Sequence, residues 1–276
     1  MTVRIVTDSA CDLPDEIAAE LGIEIVPLTI RFGEEEFVDR RDLTPSQFWS
    51  RCAASSTLPE TAAPAPGQFE ATYRALAESG ASGVLVVCMS RDLSATIASA
   101  DVAAQSFTDV PVTVVDSRSV TLGLGAVVAA AARQARDGAD LATIAATTRE
   151  LANRTKVWGA LDTLDNLKKG GRIGNARAML ASVLSIKPII EVRDGRVEEG
   201  GKQRTRSKAL SFLIDKVHSY GDVDNLSVLH ADCTDVDAFV ARLSQGYSGD
   251  VMIGQIGPVV GSHAGVGTIG VAFTTK

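Results

Sequence analysis

The chain has 276 residues, enough for two modest domains or one large one. Hydrophobic residues make up 45% and aromatics only 5%, so the core must be built mostly of Ala, Val, Leu and Ile, and a formal net charge of −7 argues against general nucleic-acid binding. Four scattered cysteines form no C-x-x-C pair, which leaves no redox or metal motif, and no apolar run approaches the ~20 residues needed to span a bilayer.

The opening MTVRIVTDSACDLP is neither a signal nor a transit peptide, and it reads as the start of a soluble cytoplasmic protein. Val3 to Val6 predicts a short strand, followed by Thr7-Asp8-Ser9. Asp12-Leu13-Pro14 predicts a helix to about Leu21, with Asp12 as N-cap and Pro14 in an early helical position. Ile23 to Ile30 predicts a second strand, and the acidic stretch Gly33 to Asp39 a turn. Thr44 and Pro45 open a helix to Arg51. Residues 55–68, SSTLPETAAPAPGQ, hold three prolines and read as a functional loop. Pro66-Gly67 then lead into a helix to about Glu78.

Val84-Leu85-Val86-Val87 is a continuous apolar run, as in a strand buried on both faces of a parallel sheet. Ser90-Arg91-Asp92 ends it, and a helix-compatible run extends from Leu93 to Ala104. Ligands sit at the C-terminal ends of such strands, and Ser90, Ser94 and Thr96 are hydroxyls at that place. Taken on this segment alone, Ser90 reads first as a helix cap and second as a ligand contact. Val112 to Val115 is a further strand, and helices follow over Leu124 to Arg136 and Leu141 to Arg154. This alternation predicts βαβ units over a parallel sheet.

After Arg154 the texture changes. Val157 to Leu161 reads as a strand, Asp162 to Leu184 as mixed structure, and Ile186 to Val192 with Arg196 to Lys202 as a hairpin about Asp194-Gly195. Helices over Leu210 to Tyr220 and Val236 to Gln245 alternate with strands over Leu226 to His230, Val251 to Ile256 and Thr268 to Phe273. The fold class is therefore two α/β domains: residues 1–155 with a parallel sheet, and residues 156–276 with a mixed, partly antiparallel one. From Lys168 to Lys208 the chain carries a local charge of +7, leaving the rest at −14. That segment fits a phosphate-bearing ligand, an acidic partner or a solvated hairpin face.

Familiar catalytic motifs fail on context. Gly265-x-Gly267-x-x-Gly270 is followed by strand rather than helix, so it is no dinucleotide fingerprint. Gly195 to Lys202 has the wrong spacing for a phosphate loop, with Gln203 where a hydroxyl should hold magnesium. Of three histidines, His218 reads as a surface residue, and His230 beside Asp232 is open to either role. His263 lies in a glycine-framed stretch, 257–265, read as a loop between strands, where a structural and a functional role weigh evenly.

Taken in order, several strings are jointly specific. They are Thr7-Asp8-Ser9, Thr61 in the proline-rich stretch, Leu93-Ser94-Ala95-Thr96 with Ser99-Ala100, and Asp116-Ser117. Leu167-Lys168-Lys169-Gly170-Gly171-Arg172-Ile173, Lys187-Pro188, Lys202-x-Arg204-Thr205 and Gly257-Pro258 with His263 complete the set. The whole chain resembles the DegV family, the fatty-acid-binding subunits of fatty acid kinase. The resemblance implies a buried tunnel between or beside the two domains, holding a long-chain fatty acid. It implies a separate ATP-binding kinase subunit that phosphorylates the bound carboxylate to an acyl phosphate, with no cofactor, no metal and no catalysis by this chain alone. Thr61, Ser94 and His263 match the residues that hold the carboxylate, while Arg204 and Arg172 match partner or phosphate contacts. The chain departs from the family pattern at Ala62, Ala63, Ala95 and Val266.

Two other readings stand beside this one. A stand-alone phosphotransferase or hydrolase would use Asp8, Asp116 and His263. A lipid-responsive regulator would meet another protein through the basic segment.

Overall fold

A computed structural model describes residues 2–55, 57–181 and 186–276. The expected mixed stretch therefore runs out of the described residues at 182–184. The fold is mixed α/β, with one all-parallel sheet, one mostly antiparallel sheet and a small third sheet among the described residues.

In the first half, β1 (Val3–Asp8), α1 (Asp15–Glu20) and β2 (Ile23–Val26) precede β3 (Thr29–Phe32) and β4 (Glu35–Val38). The single strand expected over Ile23 to Ile30 is thus two strands in different sheets, split around Pro27, which has no N–H to donate to a ladder. The expected acidic turn is a tight turn at Gly33-Glu34 only, and the rest of it is the strand β4, paired antiparallel with β3. α2 (Pro45–Ala54) starts at Thr44 and Pro45 as expected, and a capping box between Thr44 and Gln47 reinforces the start. The proline-rich stretch is not all loop. It contains β5 (Glu60–Ala62), which pairs with β3 and places Thr61 opposite Ile30.

α3 (Pro66–Glu78), β6 (Gly83–Cys88), α4 (Thr96–Ser106), β7 (Val112–Asp116), α5 (Thr121–Arg136) and α6 (Leu141–Arg154) complete this half. The parallel sheet has order β2-β1-β6-β7. All six residues of β6 are buried. Its side chains alternate between faces with the period of two that a strand dictates. Val84 and Val86 join Phe69, Tyr73 and Ile97, whereas Leu85 and Val87 join Leu124, Val128 and Ile144. The apolar run is continuous because both faces are covered by helices.

The second sheet begins at β8 (Thr155–Ala160) and is preceded in the chain by α6. α7 (Asp165–Lys169), β9 (Lys187–Arg193), β10 (Arg196–Gln203), α8 (Arg206–His218), β11 (Val223–His230), α9 (Val236–Leu243), β12 (Met252–Gln255), α10 (Pro258–Ala264) and β13 (Ile269–Thr275) follow. The order is β10-β9-β8-β13-β11-β12, antiparallel except for the parallel pair β11–β12. The hairpin turn at Asp194-Gly195 is as expected, with both residues at positive φ.

Two local expectations need correction. Asp12 is not the N-cap of α1, a place taken by Pro14; it ends the short 3-10 turn Ser9–Cys11. It takes a left-handed conformation, and its carboxylate accepts from Thr121 Oγ1 at 2.6 Å and from the Gly257 N–H at 3.1 Å. It thereby fastens the starts of α5 and α10 to one another. Ser90 does not cap α4, which begins at Thr96. Its hydroxyl is buried and donates to the Gly195 carbonyl at 2.7 Å, clasping the β9–β10 turn to the end of β6. Ion pairs Arg118–Asp194 and Arg196–Asp92 flank that clasp.

Burial leaves three carboxyls poorly solvated where these pieces meet. It pushes Asp8 up to about 7, Asp12 up to about 7 and Asp39 up to about 6. A carboxyl whose folded value lies above its unfolded one contributes stability that is present at low pH and lost as pH rises through the folded value. Lowering the pH from 8 to 6.5 is therefore expected to stabilise the protein by on the order of 1 kcal/mol, or a few degrees in melting temperature. Below about 6.5 the unfolded chain also gains a proton on His263, which burial holds neutral in the fold, and burial lowers His230 in the same direction, so the gain flattens. Melting scans at four pH values between 8 and 5 check this; a monotonic fall across the window contradicts it.

Candidate functional site

A cavity of about 160 Å³ lies between the parallel sheet's strand ends and the face of β9 and β10. Its walls are apolar, with Leu28, Met89, Val120, Ile190, Val192 and Val259 among them. Its polar groups are few and come from four separate chain segments: Thr61, Ser94, Arg172 and His263. Apolar walls with a few convergent polar groups are the usual make-up of a small-molecule site.

Each of those side chains is positioned by local structure. β5 carries Thr61 through its pairing with β3. Ser94 lies in the turn after β6, where Thr96 N donates to its Oγ at 3.2 Å and the two hydroxyls stand 2.9 Å apart. The base of that turn is braced by Asp8, which is fully buried and accepts from Met89 N at 2.7 Å and Ala10 N at 3.0 Å. His263 sits on α10, not on a loop as expected. Its Nε2 lies 3.1 Å from Thr61 Oγ1. Burial, reinforced by the Arg172 charge, pushes His263 down to about 4, so the ring is neutral at physiological pH.

The glycines around His263 mark close packing. A Cβ on Gly261 would come within 2.8 Å of the rings of Phe48 and Trp49. Trp49 Nε1 in turn donates to the Ile256 carbonyl at 3.2 Å, fixing where α10 begins. Pro258 occupies the first turn of α10, where its missing N–H costs nothing.

Arg172 links the pieces. Its Nε donates to the Leu93 carbonyl at 3.1 Å, next to Ser94, and its terminal nitrogen donates to the Gly170 carbonyl at 2.6 Å. Thr61, Arg172 and His263 also border a second cavity of about 320 Å³, more polar, lined in addition by Glu60, Asn166 and Lys169. The three side chains thus form a partition between an apolar chamber and a polar vestibule. A third chamber of about 60 Å³ presents only apolar surface and shares Val120, Ile190, Val192, Val260 and Ala264 with the first.

The structure therefore gathers Thr61, Ser94, His263 and Arg172 around one space and leaves Arg204 apart, exposed between β10 and the Thr205 cap of α8. Asp8 and Asp116 do not join His263 in that space. Asp8 is committed to backbone N–H groups, and Asp116 pairs with Arg91 and accepts from the Arg118 N–H. His230 has a structural partner, with Nδ1 accepting from Cys233 N at 3.3 Å. Among the described residues no group of three or more His, Cys, Asp or Glu is placed to hold a metal, and no helix is long and apolar enough to cross a membrane. Sequence reasoning did not name the hydrophobic walls; the alternation of Ile190 and Val192 toward one face was the available signal.

Comparison with known proteins covers the whole chain. Residues 2–276 match the family described as "Uncharacterised protein, DegV family". A DegV domain-containing protein of Deinococcus radiodurans is 39% identical over 279 residues, covering 99% of this chain and 98% of its own. The solved structure of a DegV family protein from Thermus thermophilus, described by its fatty acid binding, superposes with a TM-score of 0.92 at 31% identity, covering all of both chains. A stearic-acid-binding protein from Eubacterium ventriosum superposes with a TM-score of 0.91 at 25% identity, over 99% of this chain and 98% of that one. With the match spanning the whole described fold, the chain belongs to the DegV family.

Proposed function

We propose that this protein binds a long-chain fatty acid and presents its carboxylate to a separate ATP-dependent kinase subunit, which converts it to an acyl phosphate. The observation that carries the reading is the convergence of Thr61, Ser94 and His263 at the polar end of an otherwise apolar cavity. The fatty acid binding described for the Thermus thermophilus and Eubacterium ventriosum proteins supports it. The acyl chain would lie along Leu28, Met89 and Val192 and toward the third chamber, with the carboxylate at the partition.

Energies agree with such a ligand. Burying an acyl chain yields about 0.8 kcal/mol per CH₂, roughly 10 kcal/mol gross for a common fatty acid. That exceeds an association cost of several kcal/mol. Neutral hydroxyls and a neutral imidazole bind the anion without cancelling its charge, so the carboxylate oxygen keeps its nucleophilicity toward a phosphoryl group. Arg172 at the vestibule and Arg204 on the surface are then suited to meet the phosphate or an acidic kinase face. In this reading the chain has no catalytic activity of its own, works in the cytoplasm, and divides into units 1–155 and 156–276.

Native mass spectrometry of the purified protein, followed by lipid extraction, tests the binding half. One fatty acid per chain is the expected result, and protein that is empty and fails to take up added oleate overturns the proposal. Adding ATP with and without an ATP-dependent fatty acid kinase subunit tests the other half. Acyl phosphate should form only with both subunits present, and formation by the isolated chain would restore the stand-alone enzyme.

A further inference from the structure

We infer that His263 is held as the neutral tautomer with its proton on Nε2, and that Gly170 is the positioning residue that imposes this state and so turns Thr61 into a hydrogen-bond donor toward the ligand. The inference rests on the fatty-acid reading above and sharpens it: the site takes an ionised carboxylate and discriminates against its ester.

The argument starts from an orphan atom. His263 Nδ1 is buried and has no hydrogen-bond partner among the described residues. The backbone of Gly170 lies against it, so closely that a Cβ there would sit 2.3 Å from Nδ1 and 2.8 Å from Cε1. Gly170 offers that nitrogen nothing. Its carbonyl accepts from Arg172 at 2.6 Å, its N–H donates to the Asn166 carbonyl at 2.8 Å, and neither bonds to Nδ1. A proton on Nδ1 would be a buried donor without an acceptor, the rarer and costlier kind of unsatisfied group. A proton on Nε2 instead points at Thr61 Oγ1, 3.1 Å away. The doubly protonated ring would need acceptors on both sides and would face the Arg172 guanidinium, which opposes it.

The tautomer sets the polarity of the pocket. With Nε2–H donating to Thr61 Oγ1, the threonine oxygen is engaged as an acceptor and its own proton is free to point into the cavity. Ser94 Oγ likewise accepts from Thr96 N, and its own proton goes either to the cavity or to Thr96 Oγ1, 2.9 Å away. Hydroxyls with a proton available to the cavity match a carboxylate, which accepts at both oxygens. With the opposite tautomer Thr61 would donate to Nε2 and offer only lone pairs to the ligand.

The test begins with full-length protein, stripped of lipid and labelled with ¹⁵N-histidine, whose three rings are distinguished with a His263→Gln variant. The His263 signal should show a single protonated nitrogen, Nε2, at pH 7 and keep that pattern to about pH 5. Protonation at Nδ1, or titration in the ordinary histidine range, overturns the inference. Wild-type protein should bind oleate at least about tenfold more tightly than methyl oleate, from the charge-assisted hydrogen bonds that the ester weakens. In Gly170→Ala the methyl displaces the ring. His263 should then titrate in the ordinary range and the preference for oleate should fall by about tenfold; a folded variant with both properties unchanged overturns the role of Gly170. Should that variant not fold, Thr61→Val serves as the second arm, and persistence of the preference in it overturns the donor assignment. Failure of both probes to bind wild-type protein overturns the fatty-acid reading, whereas the wrong tautomer in protein that still prefers oleate overturns this inference alone.

Discussion

Replacing Asp8 with alanine is expected to lower the melting temperature by about 10 °C, as read by calorimetry or circular dichroism at pH 7.5. Both carboxylate oxygens accept backbone hydrogen bonds, one from Met89 N and one from Ala10 N, and the residue is fully buried. Removing it strands two buried N–H groups at about 1–3 kcal/mol each. The change also releases the turn that leads to Ser90 and Ser94, so the cavity's polar end should loosen along with the fold. Asp8→Asn is expected to recover little of the loss, because one of its two side-chain atoms donates where an acceptor is required. An Asn variant as stable as the wild type would show that a second acceptor is dispensable. The cost of keeping this carboxyl out of water, visible in its elevated pKa, offsets part of the effect and makes alanine less damaging at pH 8 than at pH 6.5.

The second large effect concerns the ligand. The double variant Thr61→Val with Ser94→Ala should bind oleate about a hundredfold more weakly than the wild type, with little change in melting temperature. Hydrogen bonds to a charged group contribute about 1.5–3 kcal/mol each, and two are removed. Neither hydroxyl braces the fold in the way Asp8 does. Among the described residues the Thr61 hydroxyl bonds only to His263, and the Ser94 hydroxyl bonds locally to Thr96. Fluorescent fatty-acid displacement at fixed pH measures the change. Affinity within threefold of wild type would move the carboxylate elsewhere in the cavity.

The sequence was legible where one physical cause dominated. Val84 to Val87 could only be a strand with both faces covered, and Asp194-Gly195 could only be a tight turn. It misled where a residue type has two uses. The glycines of 257–265 suggested a loop, but at Gly261 the missing side chain makes room for Phe48 and Trp49 beneath a helix. Asp12 followed by Leu13-Pro14 had the pattern of a cap, yet its carboxylate serves partners 109 and 245 residues away, which no local window contains. The candidate site has the same character. Thr61 and His263 stand 202 positions apart, so their pairing came from resemblance to a family and not from spacing. The strand that carries Thr61 is three residues long and hidden among prolines, and it is held by its partner β3 more than by its own propensity.

The order of the strands in the second sheet governs how the cavity comes into being during synthesis. β13 is last in chain order, yet it lies in the interior of the sheet, between β8 and β11. A growing chain can complete the parallel sheet early, but β8 and β11 wait with open edges until β13 is made and inserts between them. α10, which carries His263, directly precedes β13, so the partition and the sheet close together. Pairings that span such long stretches of chain form slowly, and unpaired edges are sticky in the interval. The growing chain thus passes through a stage with an uncovered apolar wall, which the insertion of β13 closes.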